Sequence, residues 1–118
     1  VILDRFLDST TVYQGIARGL PLESVRAINH FAIGGTLPNL TLVLDMDSAT
    51  AWQRIHQSGR ELDRMESQPQ SFFEKVRQGY LEVAQAESAR VKIIDASATP
   101  EIVHENIWQT ITAQSHAV

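Results

Sequence analysis

Cysteine is absent from the 118 residues, which excludes a disulfide scaffold, a thiolate zinc site and thiol catalysis. Basic residues are few: 10 Lys and Arg face 14 Asp and Glu, for a net charge of -4. A chain with this charge is not expected to bind nucleic acid. No apolar run approaches the roughly 20 residues that span a bilayer, and we expect no signal peptide at the first residues, because Asp4 and Arg5 interrupt the apolar start. The sequence therefore predicts a soluble, cytoplasmic protein that binds no membrane.

Several catalytic motifs are missing as well. The chain has no Gly-x-x-x-x-Gly-Lys-[Ser/Thr] loop, and Ser97 lacks the Gly-x-Ser-x-Gly setting of a hydrolase nucleophile. None of the four histidines belongs to a His-x-x-x-His or His-Glu-x-x-His pattern. We therefore expect packing or surface roles, and no metal, for His30, His56, His104 and His116.

The first residues are unusual for the start of a protein. There is no initiator methionine, and the apolar Val1-Ile2-Leu3 runs directly into Asp4 and Arg5. This pattern is typical of the end of a buried strand. We therefore expect the chain to be part of a longer protein.

Two further apolar runs, residues 40–44 and 91–94, predict strands that are buried on both faces, as in a parallel sheet. Helical spacing between them implies βαβ crossovers. We expect an α/β domain with a parallel sheet whose three strands end at Asp4, Asp45 and Asp95. Ligands of such sheets bind beyond the carboxyl ends of the strands, where these aspartates lie.

Apolar periodicity predicts five helices around these strands. The residues expected to cap or end them are Asp8 or Ser9, Gly19, Gly34 and Ser48. On the last helix, the residues predicted to face inward are Ile102, Val103, Ile107, Trp108 and Ile111.

Asp4 and Arg5 form the first candidate site. A guanidinium at a strand end can contact a phosphate through two parallel hydrogen bonds, and Asp4 can hold that arginine or accept a proton. One helical turn later, Thr10, Tyr13 and Gln14 share a face that suits a small polar ligand. The alternative is an ion pair that fastens a surface loop, with Tyr13 as a packing residue.

Arginines in and before the polar segment 58–69 form the second candidate site. Arg54, Arg60 and Arg64 are three of the ten basic residues. Arginines on a mobile loop suit a lid that neutralises phosphoryl charge in a transition state. The alternative is a solvated loop in which they pair with neighbouring acidic residues.

A series of motifs runs through nearly the whole chain. They are Asp4-Arg5-Phe6-Leu7-Asp8-Ser9-Thr10, Tyr13-Gln14-Gly15, Pro38-Asn39-Leu40-Thr41, Leu62-Asp63-Arg64-Met65-Glu66, Gly79-Tyr80-Leu81 and Ile94-Asp95-Ala96-Ser97. In order and spacing, these motifs resemble those of bacterial thymidylate kinases. Two positions depart from the family pattern: Asn39 stands where Asp is usual, and Met65 stands where some members have Tyr.

The resemblance implies a three-layer α/β/α P-loop kinase fold with a parallel sheet. Residues 1–118 would be the C-terminal portion of its single domain, with a lid at about 58–69 and with the P-loop strand and a second strand missing. The implied reaction moves the γ-phosphoryl group of ATP to dTMP with Mg²⁺, in dTTP biosynthesis, and the complete protein would be a homodimer. The chain alone would be inactive.

The resemblance also implies residue roles. Arg5 would grip the dTMP phosphate, with Asp4 beside it at the catalytic centre. The residues implied to line the dTMP pocket are Ser9, Thr10, Tyr13 and Gln14. Those implied to lie near ATP are Arg54, Ala96 and Ser97. In the lid, the implied catalytic arginines are Arg60 and Arg64, and Glu66 is a candidate metal ligand. The alternatives are a non-catalytic domain of similar shape and a kinase for another nucleoside monophosphate.

Overall fold

The computed structural model describes residues 1–64 and 66–116, except for the side chain of His116. Met65, one of the two departures from the family pattern, lies outside the described residues. In chain order, the elements of the described part are α1 (Leu7–Thr10), a π-helix (Thr11–Ala17), α2 (Leu22–Ile33), β1 (Thr41–Asp45), α3 (Ser48–Gln57), α4 (Gln70–Ala86), β2 (Val91–Asp95) and α5 (Pro100–His116).

Strands β1 and β2 pair in parallel, with Val43 opposite Ile93. Neighbouring strand residues face opposite sides of a sheet. Val43 and Val91 belong to the core that α4 covers, whereas Ile94 alternates to the other side and lines a cleft against α5. Helices on both sides of a parallel sheet confirm the predicted α/β class.

The prediction of a third strand ending at Asp4 is wrong for this structure. Residues 1–3 have no strand structure, and the side chains of Val1 and Ile2 are fully exposed. A strand forms only where a neighbouring segment satisfies its backbone N–H and C=O groups. Neither of the two strands in the described sheet lies beside residues 1–3.

The core packs the π-helix and α4 against the sheet. Its buried members are Val12, Ala17, Val43, Val76, Val83, Ala84 and Val91. Gly79 allows the two helices to approach closely, because a Cβ there would lie 3.0 Å from Cγ1 of Val12 and 3.2 Å from Cγ2 of Ile16. This contact fixes the segment after Asp4-Arg5 beside α4.

Glycines end the first two helical segments, as predicted. Gly19 and Gly34 have φ values of 77° and 58°, in the left-handed region that glycine adopts at little cost. The predicted cap of the first segment is wrong: α1 begins at Leu7 without a side-chain cap. Asp8 is buried instead, in an ion pair described below.

Helix α3 is capped by Asp47 rather than by the predicted Ser48. The Asp47 carboxylate accepts a hydrogen bond from the Thr50 amide at 3.0 Å, and this bond lowers the pKa of Asp47. The Ser48 hydroxyl donates to the Glu74 carboxylate of α4 and lowers the pKa of that group. Asp and Ser both cap helices well. The Ser48 hydroxyl is already bonded to Glu74 of α4, so Asp47 is the residue that caps α3.

Helix α5 leaves much of its apolar surface uncovered. Val103 and Ile107 are half-buried. The prediction that Ile102, Trp108 and Ile111 also face inward is wrong, since they are 52%, 60% and 37% exposed. A two-stranded sheet covers only a narrow part of a helix with so wide an apolar face.

Three of the histidines, His30, His56 and His104, lie at the surface, as predicted. Among the described residues, no helix combines the length and the hydrophobicity that a bilayer span requires.

Candidate functional site

Arg5 has a backbone φ of 70°, in the left-handed region that only glycines share among the described residues. Such a conformation costs a non-glycine residue on the order of 1–3 kcal/mol, and it is concentrated at ligand and active sites. It directs the Arg5 side chain over the Tyr13 ring, with 5.4 Å between the guanidinium carbon and the ring centroid. This distance is within the range of a cation–π contact.

A cavity of about 250 Å³ opens beside Arg5 and Tyr13. Its other lining residues come from α3, the predicted lid and α4: Ile55, Asp63, Glu66, Phe72, Phe73 and Val76. The segment that carries Arg5 and Tyr13 therefore meets α3, the predicted lid and α4, which are distant from it in sequence. The apolar and aromatic walls suit a ligand with a flat ring. The charged lining residues are one cation, Arg5, which can meet an anionic group, and the carboxylates of Asp63 and Glu66 in the predicted lid.

Aromatic contacts hold Tyr13 in place. Its ring centroid lies 6.1 Å from that of Phe72 and 6.3 Å from that of Tyr80, which it meets edge-on at 78°. The Arg18 guanidinium lies over the other side of this cluster, 5.6 Å from the Phe72 centroid. Edge-on and tilted pairs at these distances are favourable ring arrangements.

The other residues predicted to line the dTMP pocket differ in their surroundings. Ser9 is half-buried, and its hydroxyl lies 2.8 Å from the Tyr80 hydroxyl. Burial raises the pKa of Tyr80, so the phenol stays neutral. Thr10, Gln14 and Asp4 are exposed. Of the predicted set, the structure brings Arg5 and Tyr13 into the cavity wall and places Ser9 behind it.

A buried ion pair anchors the segment that carries these residues. The two terminal guanidinium nitrogens of Arg90 donate to the Asp8 carboxylate, at 2.8 and 2.9 Å, across 82 residues of sequence. The Thr41 hydroxyl lies 3.3 Å from the same carboxylate, and Glu87 accepts a further bond from Arg90 at 2.7 Å. These bonds raise the pKa of Arg90 and connect α1 to the beginnings of both strands.

The predicted lid, residues 58–69, contains a closed ion pair. Arg60 donates from both terminal nitrogens to the two oxygens of Glu66, one of them at 2.7 Å. The Glu66 amide also donates to Asp63 at 2.7 Å. Hydrogen bonds from Arg60 lower the pKa of Glu66 to about 2. In this state the guanidinium of one predicted catalytic arginine is held by the predicted metal ligand.

Arg54 on α3 and Arg64 in the lid are exposed. The described lining of the cavity includes neither of them. The loop 96–97 lies at the carboxyl end of the sheet, where the Ala96 amide donates to the Asp45 carbonyl at 2.8 Å. Both the amide and the hydroxyl of Ser97 donate to Asp95 and lower the pKa of that carboxyl. The predicted ATP-side residues are therefore separate from the Arg5 cavity.

Asp45, at the end of β1, is paired with α4. Arg77 donates from Nε at 3.0 Å and from Nη2 at 3.2 Å to its two carboxylate oxygens. This pairing raises the pKa of Arg77. It fixes α4, and with it Phe72 and Val76 of the cavity wall, relative to the strand ends.

Within the described residues, no group of three or more His, Asp or Glu side chains converges as a metal site would require. Mg²⁺ in phosphoryl-transfer sites is commonly held by one or two carboxylates together with substrate phosphates. The Glu66 carboxylate fits that role only after its ion pair with Arg60 opens.

Comparison with known proteins decides the family. The thymidylate kinase family model matches residues 1–107. The chain belongs to the thymidylate kinase family. A curated thymidylate kinase from Symbiobacterium thermophilum is 47% identical over 111 residues, which cover 94% of this chain and 51% of the relative. The chain thus spans about half the length of that thymidylate kinase.

The anchoring role of Asp8 and Arg90 in this chain is not predicted from the sequence. The sequence predicts Asp8 or Ser9 as a helix cap, whereas the structure buries Asp8 against Arg90. An arginine directly before a strand, as Arg90 is before Val91, was the only hint of a buried ion pair. Its partner lies 82 residues away, beyond the reach of local periodicity.

Proposed function

We propose that the complete protein transfers the γ-phosphoryl group of ATP to dTMP and yields dTDP for dTTP biosynthesis. One observation carries this proposal: in a member of the thymidylate kinase family, a strained arginine stands over a tyrosine at the edge of a cavity. The relative's double length supports a complete protein that also has the P-loop and the two further strands of the family.

On the dTMP side, we propose that Arg5 binds the phosphate through its planar fork and that Asp4 acts beside it at the catalytic centre. The left-handed backbone at Arg5 presets the direction of its side chain, so little ordering is needed when the ligand binds. Tyr13 forms a wall of the nucleoside pocket, and Ser9, Thr10 and Gln14 complete that pocket.

On the ATP side, we propose that Arg54, Ala96 and Ser97 adjoin the nucleotide and that Arg60 and Arg64 are the lid arginines. Arg60 is held by Glu66 here, so its action on a phosphoryl group requires that ion pair to open. An arginine that binds only in the closed transition state raises kcat and leaves nucleotide affinity almost unchanged. Arg60→Ala and Arg64→Ala are therefore expected to lower kcat selectively.

Mg²⁺ bound with ATP would neutralise phosphate charge. We propose Glu66 as its protein ligand in the open state of the Arg60 pair. We also propose a cytoplasmic homodimer, for which the exposed Ile28 and Phe31 of α2 provide apolar surface. Sedimentation of the complete protein tests the dimer.

The experiment that tests the proposed function measures ADP release by the complete protein with ATP, Mg²⁺ and a panel of nucleoside monophosphates. We expect turnover with dTMP at a higher kcat/KM than with dUMP, dCMP or dAMP. A preference for another member of the panel would identify a different monophosphate kinase. Binding of dTMP without turnover would indicate a non-catalytic domain. Residues 1–118 alone are expected to show no turnover, since they contain no P-loop.

A further inference from the structure

Tyr80 is the one polar side chain of α4 that reaches the segment after Asp4-Arg5 through a hydroxyl. Its Oη lies 2.8 Å from Oγ of Ser9, 71 residues away in sequence. The same ring meets the Tyr13 ring edge-on, with 6.3 Å between the centroids. Tyr80 therefore contacts two residues of the proposed dTMP pocket without lining the cavity described beside Arg5.

These contacts form a continuous series. Ser9 fixes the end of the Tyr80 side chain, the Tyr80 ring supports one side of Tyr13, and Phe72 supports another at 6.1 Å. Tyr13 in turn lies under the Arg5 guanidinium, at 5.4 Å from its ring centroid to the guanidinium carbon. Loss of the Tyr80 hydroxyl is therefore expected to alter the position of Arg5 through the Tyr13 ring, which contacts both residues.

The packing around Tyr80 makes it suited to this role. Tyr80 is partly buried and packs against the core cluster, which restricts the position of its ring. Ser9 lies on α1, which the buried Asp8–Arg90 pair anchors. Both ends of the Ser9–Tyr80 hydrogen bond are therefore attached to rigid parts of the fold, as precise positioning requires.

We propose that Tyr80 is a positioning residue of the nucleoside-monophosphate pocket, which holds Tyr13, and through it Arg5, in the geometry that binds dTMP. The proposal rests on the proposed function for the identity of the ligand. It assigns Tyr80 no contact with substrate.

Steady-state kinetics of the complete protein test the proposal with Tyr80→Phe, which removes one hydroxyl and keeps the ring. We expect KM for dTMP to rise about 2- to 10-fold, the effect of one lost hydrogen bond. KM for ATP and kcat are expected to stay within about 2-fold. The double variant Ser9→Ala/Tyr80→Phe is expected to have the same KM for dTMP as Ser9→Ala alone, because Ser9→Ala already removes the Ser9–Tyr80 hydrogen bond.

Thr110→Val is the matched control. It removes a half-buried hydroxyl that donates to the Asn106 carbonyl at 2.8 Å on α5, away from the cavity. It is expected to leave both KM values unchanged. An unchanged KM for dTMP in Tyr80→Phe, or an equal rise of KM for dTMP and ATP, would overturn the proposal.

A second measurement separates this proposal from the proposed function. In protein labelled with ¹³C at the tyrosine rings, the Tyr13 resonances are assigned with Tyr13→Phe. They are expected to shift in Tyr80→Phe and to stay in place in Thr110→Val. An unmoved Tyr13 resonance refutes the positioning role even if dTMP is the substrate. A wild-type protein without dTMP turnover refutes the proposed function, and the Tyr13 shift then still decides whether Tyr80 holds the cavity wall.

Discussion

Separate removal of the two partners of the Asp8–Arg90 pair is expected to destabilise the protein by unequal amounts. Both side chains are only 9% exposed, and their two bonds are short. Breaking a buried pair leaves an uncompensated charge and costs about 3–5 kcal/mol. In Asp8→Ala, the Arg90 guanidinium keeps its 2.7 Å hydrogen bond to Glu87, so we expect the free energy of unfolding to fall by about 3 kcal/mol.

Removal of Arg90 is expected to cost more stability than removal of Asp8, because it leaves the buried Asp8 carboxylate without its cationic partner. In Arg90→Met, the Asp8 carboxylate keeps only the Thr41 hydroxyl, at 3.3 Å, among its described partners. We expect the free energy of unfolding to fall by about 5 kcal/mol. The double variant Asp8→Leu/Arg90→Met removes both charges, and we expect it to be more stable than Arg90→Met alone, because an apolar pair of similar volume needs no compensation.

Urea unfolding of the complete protein, followed by circular dichroism, measures these differences as shifts of the midpoint at constant m-value. The exposed Arg60–Glu66 pair supplies the control, and Glu66→Gln is expected to change the midpoint little. Equal small losses for Asp8→Ala and Arg90→Met would refute the reasoning. So would a double variant Asp8→Leu/Arg90→Met that is no more stable than Arg90→Met alone.

Three further predictions concern packing, the lid and a helix cap. Gly79→Ala would place a Cβ 3.0 Å from the stiff, β-branched Val12. The overpacking costs about 1–3 kcal/mol, which exceeds the roughly 1 kcal/mol gained in helix propensity, so thermal unfolding should show a lower melting temperature. The Glu66 carboxyl should titrate near pH 2 by ¹³C NMR. Because its folded pKa lies below its ordinary value of 4.5, the ion pair with Arg60 stabilises the lid above pH 4.5, and this stabilisation is lost as the pH falls toward 2. Replacement of its arginine partner should return that pKa toward 4.5. Asp47→Ala should accelerate hydrogen exchange of the Thr50 amide, and Asp47→Ser should not.

Local features of the fold could be predicted because they depend on neighbouring residues alone. Gly19 and Gly34 end their helices because only glycine takes the left-handed conformation without cost. The apolar runs before Asp45 and Asp95 form the two parallel strands, as predicted. The prediction that both faces of these strands are buried is wrong, since Leu44 is 56% and Ile93 is 39% exposed. Residues 1–3 have the same composition, but composition does not supply the neighbouring strand that a sheet requires.

The remaining features depend on contacts between distant residues. Asp8 has the chemistry of a helix cap, and only its approach to Arg90 makes it a buried anchor. The left-handed φ of Arg5 likewise leaves no trace in the sequence, because arginine has no local preference for that conformation. Resemblance to the family supplied the site residues, and the structure adds which of them meet: Arg5 and Tyr13 at the cavity, with Ser9 held by Tyr80.

The central claim is that Arg5 binds the phosphate of dTMP beside Tyr13. Calorimetric titration of dTMP and of thymidine into the complete protein and its Arg5→Ala variant tests it most directly. Loss of a charged hydrogen bond is worth about 1.5–3 kcal/mol, so the account predicts that dTMP binds roughly 10- to 150-fold more weakly to the variant. Thymidine, which has no phosphate, should bind both proteins equally. Unchanged dTMP affinity, or an equal loss for dTMP and thymidine, would contradict the account.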